Sequence, residues 1–169
     1  MTFRLAIMQD LPQIKKMYCD IIHKMNENQI LIWDDIYPCE FFENDIVNNQ
    51  LYLMFDQIEI ISAFALCDSN FGADAIEWKN RSGKALYLDR FGVNANYSRQ
   101  GIGSQMLTKA KETARNLGAE YLRLFVVDIN VPAIDLYAKN GFTRANGVYN
   151  EVIDSDCTLR QFGYEIHLY

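Results

Sequence analysis

Two stretches of the chain combine residue types and spacings that can do chemistry. In the first, Gly101-Ile102-Gly103 places two residues without side chains where a loop leaving a strand enters a helix. Backbone N–H groups can converge there on an anion, and the helix dipole adds partial positive charge. Phosphate binding is the chemistry this predicts, although an ordinary glycine turn uses the same residues. In the second, residues 26–38 mix polar, acidic and aromatic side chains. A loop bearing Trp33, Asp34 and Tyr37 can cap a small cationic ligand or tuck its rings onto the core. Trp78, in the polar stretch 68–84, is a further candidate substrate contact.

The surrounding periodicity says what must position these residues. Phe3–Ile7 reads as a strand, followed by Asp10 as a helix N-cap with Gln13 three residues later. Leu11, Ile14, Met17, Tyr18, Ile21, Ile22 and Met25 recur at helical spacing. A short helix is expected over about Cys39–Asn48, with Phe41, Phe42, Ile46 and Val47 inward. Leu51–Phe55 and Ile58–Leu66 predict an antiparallel hairpin. Leu86–Val93 resumes a strand, and Gly92 within it implies a bulge or a close backbone approach by another molecule. From Gly103, Met106, Leu107, Ala110, Ala114 and Leu117 form a stripe that ends at Gly118. Tyr121–Val127 is an apolar run broken only by Arg123, as in a buried strand. Asn130 can cap a helix with Pro132 in its first turn, and Asn140-Gly141 ends it. Ala145–Gln161 reads as a long acidic connection before a final strand, Phe162–Tyr169. The order β α α β β β α β α β β predicts an α/β fold with a mixed sheet and helices on its faces, in one domain over residues 1–169.

Composition narrows the chemistry. The 169 residues carry a formal net charge of −6 and no long Lys/Arg block, which argues against nucleic acid and suits a cationic partner. No apolar run approaches a membrane span. The four widely spaced cysteines and the lack of a leader-like N-terminus predict free thiols in a reducing cytoplasm. With only His23 and His167, and no HExxH or CxxC, no metal site is expected. Neither histidine adjoins a G-x-S-x-G elbow, which disfavours a serine hydrolase.

The competing reading of Gly101-x-Gly103 is a dinucleotide-binding turn, with Asp128 as a ribose-binding acid. Against it, Met106 holds the third glycine position, Asn94–Gln100 intervenes between strand and first glycine, and the unit lies mid-chain behind a hairpin. There is no P-loop motif. Ser98-Arg99-Gln100-Gly101-Ile102-Gly103 and Asn130-x-x-Ala133-x-x-x-Tyr137-x-x-x-Gly141-Phe142 together resemble the GNAT superfamily of acyl-CoA-dependent N-acyltransferases. The element order agrees across nearly the whole chain; the specific match lies within residues 93–142. Ser98 departs from the Gln or Arg that the family places first in the glycine motif, a contact that Arg99 would partly assume.

The resemblance implies a GNAT-like fold with a central, mostly antiparallel mixed sheet. It implies that the amides of Arg99 to Ser104 cradle the pyrophosphate of coenzyme A, with Asn130 and Ala133 also on the cosubstrate side. Backbone N–H groups of Phe91, Gly92 and Val93 would hold the thioester carbonyl as it becomes an oxyanion. Tyr137 would serve as general acid toward the departing thiolate, and Asp89, on one strand face with Tyr87 and Phe91, is the nearest carboxylate to take the amine proton or to orient the ammonium. Glu151, Asp154 and Asp156 join Trp33, Asp34, Tyr37 and Trp78 as places to look for the acceptor pocket. The expected activity is direct acetyl transfer from acetyl-CoA to a primary amine of a small molecule or peptide, in a ternary complex and without a metal. A homodimer is compatible with the resemblance. The alternatives are a non-catalytic acyl-CoA-binding or sensing module, and a dinucleotide-dependent oxidoreductase.

Overall fold

Elements form wherever the side-chain period matches a face that can be buried. In the computed structural model, which describes residues 1–169, the order is β1 (Thr2–Leu5), α1 (Leu11–Glu27), α2 (Phe42–Val47), β2 (Leu51–Asp56), β3 (Glu59–Cys67), β4 (Ile76–Glu77), β5 (Ala85–Val93), α3 (Ile102–Asn116), β6 (Tyr121–Val127), α4 (Val131–Lys139), β7 (Thr143–Arg144), β8 (Asn146–Gly147), β9 (Tyr149–Val152) and β10 (Thr158–His167). The main sheet is mixed and mostly antiparallel: β5 and β6 run parallel, whereas β1–β2, β2–β3, β6–β10, β7–β10 and β9–β10 are antiparallel. No helix is long and apolar enough to cross a membrane. The chain divides into two compact units, Met1–Leu66 with Arg90–Leu107, and Cys67–Asp89 with Thr108–Tyr169.

In the first unit the strand order is β1-β2-β3-β5. The stripe of α1 buries Ile14, Met17, Tyr18, Ile21 and Ile22, as the helical spacing requires. The β2–β3 hairpin closes in register at Asp56 and Glu59, with Gln57 left-handed at φ +53°. Asp10 does not cap α1. Its own backbone is helical (φ −79°, ψ −19°), while a cap needs an extended residue. Its carboxylate instead takes both Arg4 guanidinium nitrogens, at 2.7 and 2.9 Å, and the Ile7 N–H at 2.9 Å. The Arg4 hydrogen bonds hold the Asp10 carboxyl below its ordinary pKa. Gln13, expected to complete a capping box, reaches Ile58 O at 3.1 Å. Phe41 and Val47 are exposed rather than inward, because α2 is only six residues long and its buried stripe is Phe42, Asp45 and Ile46.

In the second unit β6 is central, pairing in parallel with β5 from Ala85↔Tyr121 to Leu88↔Leu124 and antiparallel with β10 from Gln161↔Val127 to His167↔Tyr121. The stretch expected as a long connection, Ala145–Gln161, carries strands: β8 pairs with β4, and β9 with β10. Its alternation is masked by polar residues, since β9 half-buries Tyr149 and Glu151 while Asn150 and Val152 face solvent. Leu117 is exposed, because α3 ends at Asn116 and Gly118 turns left-handed (φ +79°); Ala119 is buried in its place. Arg123 and Glu165 are cross-strand neighbours in the β6–β10 register and both are buried. Their side chains meet at 3.4 Å; Glu165 Oε1 accepts the Lys79 N–H at 2.8 Å, and Arg123 donates to Asn80 O at 2.6 Å.

Removing one partner of a buried ion pair strands the other charge, whereas removing both need not. Glu165→Ala is therefore expected to lower unfolding free energy in urea by about 3–5 kcal/mol, and Glu165→Leu combined with Arg123→Met by clearly less. Equal losses in the single and double variants would contradict the assignment.

Candidate active site

The loop between β5 and α3 is built on Asn94, a buried amide that sequence reasoning did not single out. Its Oδ1 accepts the Asn96 N–H at 3.0 Å, and its Nδ2 donates to Ile60 O at 3.1 Å. Tyr97 fastens the same loop by donating to Glu59 Oε2 at 2.9 Å. Beyond it, Arg99 (φ +61°) and Gly101 (φ +80°) are left-handed and exposed. A Cβ on Gly101 would meet nothing within 4 Å, so open space lies before the first turn of α3. That first turn presents the N–H groups of Ile102, Gly103 and Ser104, which a helix cannot satisfy internally. An anion such as a pyrophosphate fits this arrangement. Ser98 turns its hydroxyl back to Ala95 O at 2.5 Å, and Gln100 donates to Asn96 O at 3.1 Å. Both side chains thus stiffen the loop locally.

The β5 segment that feeds the loop contains a left-handed residue that is not glycine. Arg90 has φ +51°, a conformation worth about 1–3 kcal/mol of strain unless its surroundings enforce it. They do: Arg90 Nε and a terminal nitrogen bind Asp45 Oδ2 and Oδ1 at 2.7 and 2.8 Å, with both side chains buried. The guanidinium also stands 5.2 Å above the Phe41 ring. The Arg90 carbonyl accepts the hydroxyl of Tyr18, which is fully buried. Burial pushes that phenol well above its usual pKa. Gly92 answers to Tyr18 as well, since a Cβ there would lie 2.9 Å from the Tyr18 Cζ and hydroxyl. The close approach expected at Gly92 comes from this chain's own ring. Ser62 Oγ donates to the Gly92 carbonyl at 2.7 Å.

In the second unit Asn130 caps α4, accepting the Ala133 N–H at 3.4 Å, and Gly141 (φ +88°) closes it. Pro132 lies in the first turn, where its missing N–H costs nothing. The helix buries Tyr137, whose ring meets Phe142 edge-on at 5.9 Å. Burial raises the Tyr137 pKa well above its usual value, and the charge of Asp89 adds to the rise. Half-buried Glu151 is also raised, by burial first and then by Asp89, while a 2.5 Å hydrogen bond from Gln161 opposes the shift.

Of the residues expected at an acceptor pocket, Trp33 and Tyr37 are half-buried, 6.5 Å apart between ring centroids, and Trp33 lies 5.6 Å from the Tyr18 ring. Asp34 shapes their loop: its Oδ1 accepts the Ile36 and Tyr37 N–H groups, each at 2.8 Å. Trp78 is a core residue of the second unit, packed with Ile76, Tyr87 and Ala145. Its indole donates to Ala73 O at 2.9 Å, and Arg123 lies 4.6 Å from its ring.

Residues 17–142 match the acetyltransferase (GNAT) family model. Over 84 residues the chain is 36% identical to the thialysine N-epsilon-acetyltransferase of Bos taurus, covering 48% of this chain and 49% of that one; the chain thus spans about half of that relative's length. It is 26% identical over 148 residues to a Bacillus subtilis (strain 168) protein named as a candidate phosphinothricin acetyltransferase, covering 84% and 83% of the two chains. The structure of a Salmonella typhimurium candidate acetyltransferase with its cofactor acetyl-CoA aligns with a TM-score of 0.67 at 16% identity, covering 99% of this chain and 94% of that one, a likeness of fold. With the family match extending over well more than half of its residues, the chain belongs to the acetyltransferase (GNAT) family.

Proposed function

We propose that the protein is an N-acetyltransferase that moves the acetyl group of acetyl-CoA to a primary amine of a small molecule or peptide, by direct transfer in a ternary complex. The observation that carries this reading is Tyr137, a phenol buried on α4 between the Asn130 cap and the left-handed Gly141. Acetyl-CoA, when bound, supplies the acyl group as an activated thioester. The N–H groups of Arg99 to Ser104 hold the pyrophosphate, and the backbone of Phe91, Gly92 and Val93 pairs with the pantetheine arm and the thioester carbonyl. Asn130 and Ala133 set the helix that carries Tyr137.

In the transfer a C–N bond forms, the C–S bond breaks and the amine loses a proton. Asp89 takes or relays that proton, since the amine must be neutral to attack. Tyr137 donates a hydrogen bond to the sulfur as it becomes a thiolate. Outright proton donation is uphill for a phenol raised above its usual value, against a thiol of pKa about 8.5. The Trp33–Tyr37 loop offers ring faces to a cationic acceptor, and the acidic balance of the chain favours one. Thialysine and phosphinothricin, which appear in the names of the relatives, are the first acceptors to try.

Thiol release from acetyl-CoA with thialysine, phosphinothricin, polyamines and peptide N-termini is the direct assay. Tyr137→Phe is expected to lower kcat by about 10²-fold with acetyl-CoA affinity kept within about threefold; unchanged turnover would refute the role. The raised Tyr137 pKa means that the phenol stays protonated up to pH of about 10 and begins to ionise only above that. The kcat profiles of Tyr137→Phe and the parent protein should therefore run parallel between pH of about 7 and 10. An alkaline limb present in the parent and missing in the variant would contradict this.

A further inference from the structure

In the transfer proposed above, the donor to the thioester oxygen is a backbone group of β5, whose direction is fixed by its own peptide plane. Every peptide bond in this region is trans. In a trans peptide the N–H of one residue points opposite to the C=O of the residue before it. The Arg90 carbonyl is turned to Tyr18 on α1, so the Phe91 N–H is directed away from α1. Two residues on, the Gly92 carbonyl is held by Ser62, and the Val93 N–H is directed away from that hydroxyl in turn. The Arg90 peptide can take this orientation because Arg90 is left-handed, and Arg90 is kept so from its side chain by the buried double hydrogen bond to Asp45.

We propose that Tyr18, assisted by the Asp45–Arg90 pair, is the positioning residue that aims the Phe91 N–H at the acyl carbonyl during acetyl transfer. The inference rests on the acyl-CoA reading above and adds to it a group that touches neither cosubstrate nor acceptor. Tyr18 is suited to the task. It is fully buried, its ring is fixed against Phe42 at 4.6 Å between centroids, and Gly92 leaves room for the hydroxyl where any side chain would collide with it. A phenol with no access to solvent has one hydrogen to give, and here it gives it to the carbonyl whose peptide carries the donor. Asp45 acts on the same peptide from the far end of the Arg90 side chain, so the two groups fix one plane from two directions.

The spectroscopic and binding readouts need no acceptor, and kcat is read with whichever amine the thiol-release assay accepts. [1-13C]Acetyl-CoA is bound to the full chain, and the thioester carbonyl stretch is read by isotope-edited infrared difference spectroscopy, with affinity from calorimetry. The parent protein is expected to bind and to shift the stretch to lower wavenumber, as a hydrogen-bonded carbonyl does. Tyr18→Phe keeps the ring and loses the hydroxyl; it should abolish most of the shift and lower kcat roughly tenfold or more while the acetyl-CoA Kd changes less than threefold. Asp45→Asn should move both readouts in the same direction by less. A shift retained in Tyr18→Phe overturns the inference and leaves the acyltransferase reading standing, as does a parent protein that binds acetyl-CoA with an unshifted carbonyl. A parent protein that does not bind acetyl-CoA removes both. A Tyr18→Phe variant whose Kd rises in proportion to its loss of kcat shows a merely structural role and also overturns the inference. Should Tyr18→Phe fail to fold, Asp45→Asn decides by the same criteria.

Discussion

A guanidinium withdrawn from water must find its acceptors inside the chain, and the first unit is arranged around that requirement at Arg90. A charge left buried and unpaired costs several kcal/mol, so the only stable solution places a carboxylate in reach with two-point geometry. Asp45 supplies it from α2, a helix of six residues that has little stability of its own. Once the side chain is committed, the Arg90 backbone takes a conformation few residues tolerate, and its carbonyl turns to the one phenol buried beside it. The glycine at 92 follows, because the phenol occupies the space its side chain would need.

The second unit meets the same requirement differently. Arg123 and Glu165 face each other across two strands, where register alone brings them together, and the backbone of Lys79 and Asn80 completes the set. The cost of hiding the pair is offset further by the Trp78 ring against the guanidinium. This explains why Trp78 lies in the core. Asn94 is a third instance: a buried amide saturates its donors and acceptor within the first unit and thereby fixes where the strand becomes a loop. In the proposed reaction the groups that acetyl transfer draws on are mostly backbone amides. Buried polar side chains are therefore the natural means of placing them, since a hydrogen bond to one end of a peptide orients the other end.

Legibility in the sequence divides along the range of the interactions. The stripe of α1, the apolar run of β6, and the Asn130 and Gly141 ends of α4 are set by local period and local capping, and all three lie where the residues imply. What depends on a distant partner was not readable. Asp45 lies 45 residues from Arg90, and nothing in its local period points to that partner. Asp10 has the right residue type and spacing for a cap, yet a bidentate Arg4 outweighs one cap hydrogen bond. The β9 strand hides because its inward residues are Tyr149 and Glu151, and a buried-side glutamate reads as surface. The glycine turn was legible in type, whereas the Asn94 anchor beneath it was not: a lone asparagine after a strand signals a turn without saying that its amide is buried.

The environment of Tyr137 bears on the direction in which protons move. Burial first, and the charge of Asp89 after it, disfavours a phenolate at Tyr137 and raises the carboxyl of Glu151. The phenol is thereby made a worse acid and kept a dependable hydrogen-bond donor, whose bond gains strength from the low local dielectric. The glutamate is made a better base than one in water. In the proposed reaction both effects have the same sense: the proton released by the attacking amine is drawn toward the carboxyl groups, while the sulfur is stabilised by a donor that keeps its own proton. A tyrosine left in solvent would ionise more readily, but its hydrogen bond would compete with water, and the departing thiolate would gain less from it. Burial thus exchanges acid strength for a fixed, strengthened dipole at the point where negative charge develops.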